Sequence, residues 1–290
     1  MLRVLVLSAF LLLSCNPKAQ DSQKSANALT VEFSLPKKLK EVSGITLSKD
    51  KKTIWAIEDQ GNKNVIYGLD RKGNQIADVL VENAENHDWE DITTDVQGNI
   101  YIGDFGNNEN DRRNLSILKV DLKEVSQKST NVTQTTTFHY EGQKEFPPKK
   151  SHWLYDCEAF VEKDGYFYLF TKNRSKGFDG TFLVFQIPNK AGDFEAKLIA
   201  TLKLQGGYSD AAITSAAINS RNQVVLLTHK NVYMLSSLFD KNFKTAVIQK
   251  TPLNHNSQKE AIVYLDDRTV LIADEKDGKE GGNVYKFSLK

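Results

Sequence analysis

From Thr30 onward, apolar and polar residues alternate in short runs, and Gly, Asn and Asp separate one run from the next. A strand turns successive side chains to opposite faces, so such runs predict half-buried β-strands. No stretch of this region carries a long helical period.

The runs are organised into a repeat. Five stretches share one form: a small or acidic residue with an apolar pair, a polar turn, then a strand ending in polar residues. They are SGITLSKDKKTIWAIEDQGN, EDITTDVQGNIYIGDFGNN, EAFVEKDGYFYLFTKNR, SAAINSRNQVVLLTHKN and EAIVYLDDRTVLIADEKDG. Their first residues are Ser43, Glu90, Glu158, Ser215 and Glu260, at intervals of 47, 68, 57 and 45 residues. Each is followed by a further alternating strand, and four of the five add an outer one: QIADVLVE, TTTFHYE, AKLIATLKL and TAVIQKTPL.

The fifth unit stops one strand short at Lys290, while TVEFSLP, Thr30 to Pro36, stands spare ahead of the first. Four-stranded units around a channel make a β-propeller, and the spare strand would close the ring. The expected fold is all-β, a five-bladed propeller of four-stranded antiparallel blades over residues 29–290, closed by the N-terminal strand. A sixth blade would have to hide in the 68-residue interval, which reads instead as long loops at Asp121–Thr135 and Gly142–Tyr155.

In an antiparallel blade the innermost strand begins at the end where the second strand finishes. The repeated Ser or Glu and the polar tail of the second strand therefore share one face of the disc. Ser43, Glu90, Glu158, Ser215 and Glu260 should converge on the channel mouth. Carboxylates at a narrow axis repel one another, so one takes up a proton or a cation settles among them. Oxygen donors without Cys or His suit Ca2+. The other reading is a hydrated ring that holds the loops by hydrogen bonds.

The order Ser, Glu, Glu, Ser, Glu over five blades resembles the calcium-activated nucleotidase (apyrase) family. The resemblance implies one axial Ca2+ with Ser43, Glu90, Glu158, Ser215 and Glu260 as ligands, and hydrolysis of phosphate esters or anhydrides. AIEDQGNKNVIY is similar to the family's Asp-Asp-Arg-Thr-Gly blade end, and YIGDFGNN to its Gly-Gly-Leu-Gly one. Gln60 stands where the family has Arg, and the family's Arg pair is matched only by the run Lys172 to Arg174. DWEDI followed by GDFGN is similar to uncharacterised secreted bacterial propellers. A phytase-like esterase propeller is a more distant likeness.

The rim adds chemistry. His87, His152 and His255 lie on the loops leading into three blades, and with Asp104 they are the candidates for acid–base catalysis. Asp59, Asp104, Asn107, Asn108, Lys172, Arg174, His229, Lys230, Asp274 and Lys276 are the candidate ligand-binding residues. Cationic groups beside a metal suit an anionic or phosphorylated ligand. Trp55, Trp89 and Trp153 read as packing or cover for the mouth, and Cys157 as a buried, inert thiol. No Ser–His–Asp order, Cys-x-x-Cys, Walker loop or dinucleotide fingerprint is present.

The leader changes the picture of where this chemistry happens. Arg3, the apolar run Val4 to Leu13 and a small residue before Cys15 predict a signal peptide over 1–14. LLSC resembles the bacterial lipobox, which implies lipidation at Cys15, a tether over 15–28 and a place in the bacterial cell envelope, periplasmic or surface. Membrane contact would then come through the anchor alone. Lys+Arg 38 against Asp+Glu 37, with no basic run interleaved with aromatics, excludes a nucleic-acid partner. The expectation is a monomeric ligand-binding or scaffolding module with an axial Ca2+, the alternative a Ca2+-dependent hydrolase.

Overall fold

Val, Ile, Phe and Tyr bury one face of the outer strands and both faces of many inner ones, and short Gly- or Asn-bearing turns fold successive strands back antiparallel. The computed structural model describes residues 28–122, 126–239, 243 and 246–289. The leader and Cys15 lie outside them.

Strand β1 (Thr30–Ser34) comes first and is used last. The first unit is β2 (Val42–Leu47), β3 (Ile54–Glu58), β4 (Val65–Leu69) and β5 (Gln75–Val81). The second is β6 (Trp89–Thr94), β7 (Ile100–Asp104), β8 (Leu115–Val120) and, after the two-residue β9 (Ser129–Thr130), β10 (Val132–Tyr140). The third is β11 (Asp156–Lys163), β12 (Tyr166–Lys172), β13 (Thr181–Pro188) and β14 (Gly192–Lys203). The fourth is β15 (Ser215–Ile218), β16 (Val224–Leu227), β17 (Asn231–Ser236) and β18 (Val247–Pro252), preceded by a one-turn helix α1 (Tyr208–Ala211). The last is β19 (Lys259–Asp266), β20 (Thr269–Asp274) and, past the small hairpin of β21 (Lys276–Asp277) and β22 (Glu280–Gly281), β23 (Asn283–Ser288). Each innermost strand lies against the next, β2 on β6, β6 on β11, β11 on β15, β15 on β19 and β19 on β2. The protein is a β-propeller.

The N-terminal strand supplies the missing fourth strand. β1 pairs antiparallel with β23, from Thr30 opposite Lys286 to Ser34 opposite Asn283, and Leu35 N–H donates to Gly282 O at 2.8 Å. Phe33 drops into the apolar cluster shared with Leu39, Val42 and Leu271, and its ring lies directly on Gly73. Gly73 has φ +82°, so that turn needs glycine both for its backbone and for the aromatic ring above it.

Apolar clusters fill the spaces between neighbouring units. Trp55 and Trp89 share one of them with Ile57, Ile102 and Val120. Trp153 instead packs within its own loop, donating Nε1–H to Pro148 O at 3.0 Å beneath the Lys150 ammonium.

The 68-residue interval departs from the long-loop expectation at Asp121–Thr135. β9 lies parallel to β5, with Leu80 opposite Ser129, and β10 already begins at Val132. The Ser/Thr-rich run hides this from a hydrophobicity pattern, because unpaired edge groups rather than an apolar face recruit it. β10 also runs parallel beside β14, from Thr136 opposite Gly192 to Tyr140 opposite Ala196, joining the second and third units into one eight-stranded sheet. Among the described residues the interval holds no further four-stranded unit. No helix among them is long and apolar enough to cross a membrane.

Candidate functional site

The repeated residues owe their placement to a backbone irregularity. In four innermost strands the register slips between Val42 and Gly44, Trp89 and Asp91, Cys157 and Ala159, and Lys259 and Ala261. The extra residue is Ser43, Glu90, Glu158 or Glu260. A β-bulge leaves its extra residue outside the ladder and re-aims the side chain.

β15 begins only at Ser215, opposite Leu227, and Thr214 N–H ahead of it donates to the same Leu227 O at 3.0 Å, which sets the counterpart one residue earlier. Ser43 Oγ donates to Trp89 O of the next unit at 2.6 Å, and Thr214 Oγ1 donates to Lys259 O at 2.7 Å in the same way. Thr214, not Ser215, therefore stands where Ser43 stands. Ser215 lies one step deeper, level with Gly44, Asp91, Ala159 and Ala261. There Ser215 Oγ donates to Asp91 Oδ1 and accepts from Ile262 N–H, both at 3.2 Å. Asp91 is fully buried, accepts from Ile92 N–H at 2.9 Å and Phe160 N–H at 3.3 Å, and is pushed well above the carboxylate range by that burial.

Above this level the carboxylates are not left to themselves. Lys172 Nζ lies 3.0 Å from Glu158 Oε2, and Arg174 reaches Glu158 Oε1 at 2.7 Å and Asp156 Oδ2 at 2.5 Å. Burial opposes the charge on Lys172, but Glu158 and Glu260 overcome it and hold the ammonium above its ordinary range. Burial likewise opposes the charge on Glu158, and the two cations hold it below its ordinary range. Burial and the neighbouring Glu158 push Asp156 up. Glu260 Oε1 meets His229 Nε2 at 3.0 Å.

Among the described residues no cation pairs with Glu90, and Lys172 acts on it only through its charge. Burial first, then Glu158, Asp88 and Asp156, push it well above the carboxylate range. Asp88 lies beside it and is pushed up to about 6, by burial and then by Glu158. Both carboxyls press on Gly106, where even a Cβ has no room. Asp88 is 4% exposed, and its Oδ1 has no hydrogen-bond partner among the described residues.

This arrangement does not fit the expected calcium shell. Both Glu158 oxygens face cations, Glu260 is held by His229, and the Ser43 and Ser215 hydroxyls donate to Trp89 O and Asp91. Among the described residues no group of three or more His, Cys, Asp or Glu is placed to hold a metal ion. The central positive charge is a side chain of the protein itself.

The three histidines do not act together. His87 Nδ1 pairs with Asp104 Oδ2 at 2.8 Å, His152 is exposed on a 3-10 turn (Lys150–His152), and His255 contacts Lys259. Asp104 is a strut, also accepting from Asp88 N–H at 3.2 Å and Arg112 at 2.9 Å. Asn107 ties the second unit to the third, donating its N–H to Asp156 Oδ1 at 2.7 Å and its Nδ2 to Tyr155 O at 3.0 Å. Asn108 is half-buried beside it. Asp274 accepts from Asn283 N–H and Tyr285 Oη, both at 2.8 Å, inside the last unit. Lys276 caps the small hairpin through Lys279 O at 3.2 Å, and Lys230 is exposed.

Two further carboxylates border the mouth. Burial and Glu41 push Asp59 up to about 7, and burial and Glu260 push Glu275 up to about 8. Carboxylates thus outnumber the Lys172 and Arg174 cations here, which suits a cationic visitor and opposes an anionic one. The sequence reading missed Asp88, Asp156, Asp91, Glu275 and Tyr208, whose ring lies near Lys172 and Arg174. Asp88 and Asp156 carry a signal: each precedes its bulged Glu by two residues, in DWE and DCE.

No family model and no curated protein matches the chain. It is similar to the solved structure of a catalytically inactive virginiamycin B lyase from Staphylococcus aureus with quinupristin, at 13% identity and TM-score 0.43, covering 88% of this chain and 69% of that one. Kuenenia stuttgartiensis hydrazine synthase gives 13% identity and TM-score 0.49, covering 85% and 71%. The RRP9 WD40 repeats give 8% and 0.47, covering 90% and 100%.

Proposed function

We propose that this chain is a binding propeller, lipid-anchored in the bacterial cell envelope through Cys15, whose mouth receives a ligand bearing an amine or guanidinium. The observation that carries the reading is Asp88, a buried carboxylate whose Oδ1 has no partner among the described residues, beside Glu90, which burial pushes well above the carboxylate range. An N–H donor supplied by a ligand would satisfy that oxygen and offset the surplus charge. Asp59, Asp88 and Glu275 release their protons near neutrality, so binding of the cation and loss of protons are linked. A phosphate ester would meet these carboxylates directly, so the hydrolase reading gains no support from the arrangement.

Calorimetric titration with spermidine and with arginine methyl ester, at about pH 6 and about pH 8, tests this. Binding should tighten roughly tenfold at the higher pH, as displaced protons cease to compete, and weaken with added salt. A parallel titration with CaCl2 is the control. Saturable Ca2+ binding with no response to either amine would replace this reading with the calcium one, and no response to any of the three would sink both.

A further inference from the structure

Lys259 is out of place in its own repeat. It immediately precedes the bulge of the last unit, a position held in the other bulged units by Val42, Trp89 and Cys157. Each of those three belongs to an apolar cluster between units. Lys259 is fully buried at the same depth, and among the described residues no carboxylate lies within ion-pair distance of it. An ammonium there is costly unless its hydrogen bonds are made and put to use. Two of them are made locally: Nζ lies 2.7 Å from Ser257 Oγ and 3.0 Å from His255 Nδ1. Ser257 Oγ and His255 Nδ1 are themselves 3.4 Å apart.

We propose that Ser257 and Lys259 form an acyl-transfer site, with Ser257 Oγ as nucleophile and a carboxylic ester as substrate. A serine paired with a lysine base is one of the arrangements that activate a hydroxyl. Ser257 is half-exposed while Lys259 is sealed beneath it, so an acyl group reaches the hydroxyl and not the amine. Because His255 Nδ1 faces Nζ as an acceptor, the neutral ring carries its hydrogen on Nε2, and His255 serves as a positioning residue that aims the amine. Tyr285 and Asp274 are the other groups that face Lys259, the ring centroid 5.5 Å from Nζ and the carboxylate acting through its charge. Burial pushes the ammonium down to about 8, so free amine is present near neutral pH.

The step balances within the site. Ser257 Oγ bonds to the acyl carbon as its proton passes to Lys259 Nζ. The carbon–oxygen bond to the alcohol then breaks, and the alkoxide leaves with that proton. Water repeats the sequence on the acyl-serine: it gives a proton to Lys259, forms the acid, and Ser257 Oγ leaves and recovers the proton. The sum is ester plus water giving acid plus alcohol.

The full chain incubated with p-nitrophenyl acetate should release nitrophenolate and carry an acetyl group that peptide mapping places on Ser257. Ser257→Ala, a loop change, should lose that adduct and reduce release to the background from acetylation of surface amines and from water. Lys259→Met should lower the rate about 100-fold. If Lys259→Met does not fold, Ser257→Ala alone decides, read beside trapping of Ser257 by phenylmethanesulfonyl fluoride. Equal release from wild type and Ser257→Ala, or adducts on other residues with Ser257 unmodified, would overturn the proposal.

Discussion

Replacing Lys172 by Met removes the buried ammonium that faces Glu158 while nearly keeping its volume. In the wild type its Nζ lies 3.0 Å from Glu158 Oε2 and its charge also acts on Glu260. Breaking a buried ion pair by removing one partner costs about 3–5 kcal/mol, since the other charge is left uncompensated. Arg174 remains on Glu158 Oε1, which sets the expected loss near the lower end, about 3 kcal/mol at about pH 8. The pH dependence carries the sharper test. Glu158 is held below its ordinary range, so in the wild type its contribution is present above that range and is lost as pH falls through the lowered value. In the variant Glu158 joins the carboxylates that retain a proton, so the deficit should shrink on acidification. Lys172 itself is held above its ordinary range, and its own titration lies at strongly alkaline pH, outside this window. Urea unfolding followed by tryptophan fluorescence at about pH 5 and about pH 8 would measure both. A loss under about 1 kcal/mol at the higher pH, or an equal loss at both, would refute the internal-cation account.

Asp59, Asp88 and Glu275 are raised to about 7, about 6 and about 8, so the native state holds protons the unfolded chain has lost, and wild-type stability should fall as pH rises through those values. A melting temperature that is flat or rising between about pH 5 and about pH 9 would contradict this. Phe33→Ala should cost about 3 kcal/mol, by opening a cavity under the closing strand, and a thermal melt within about 1 kcal/mol of wild type would show that β1 adds little.

The fold was legible because short apolar or alternating runs bounded by Gly, Asn and Asp recur unit after unit, down to the spare TVEFSLP and its place beside β23. The site was legible only in part. Glu90, Glu158 and Glu260 were visible as the repeated acids, but nothing in their type announces the bulge that turns them toward the mouth. In the fourth unit Thr214 holds the position of Ser43, and SAAI imitates the pattern of EAIV one residue out of step. Asp91 escaped notice because its counterparts Gly44, Ala159 and Ala261 carry no chemistry to align with it. Lys259, preceding Glu260, reads along the chain as one more solvated charge; only its depth distinguishes it. The calcium expectation counted carboxylates, and nothing along the chain shows that Lys172 and Arg174 fold back onto Glu158.

The parallel seam between β10 and β14 bears on how the ring breathes. Among the described residues the outer strands β18 and β1 end their sheets, and each can peel away while its neighbours stay intact. Across the seam the amides of one unit are bonded to the carbonyls of the next, so neither outer strand can open without the other. Their amide hydrogens should therefore exchange with solvent as one cooperative block, at a higher opening free energy than those of β18. The second and third units should open later than the edge strand β18.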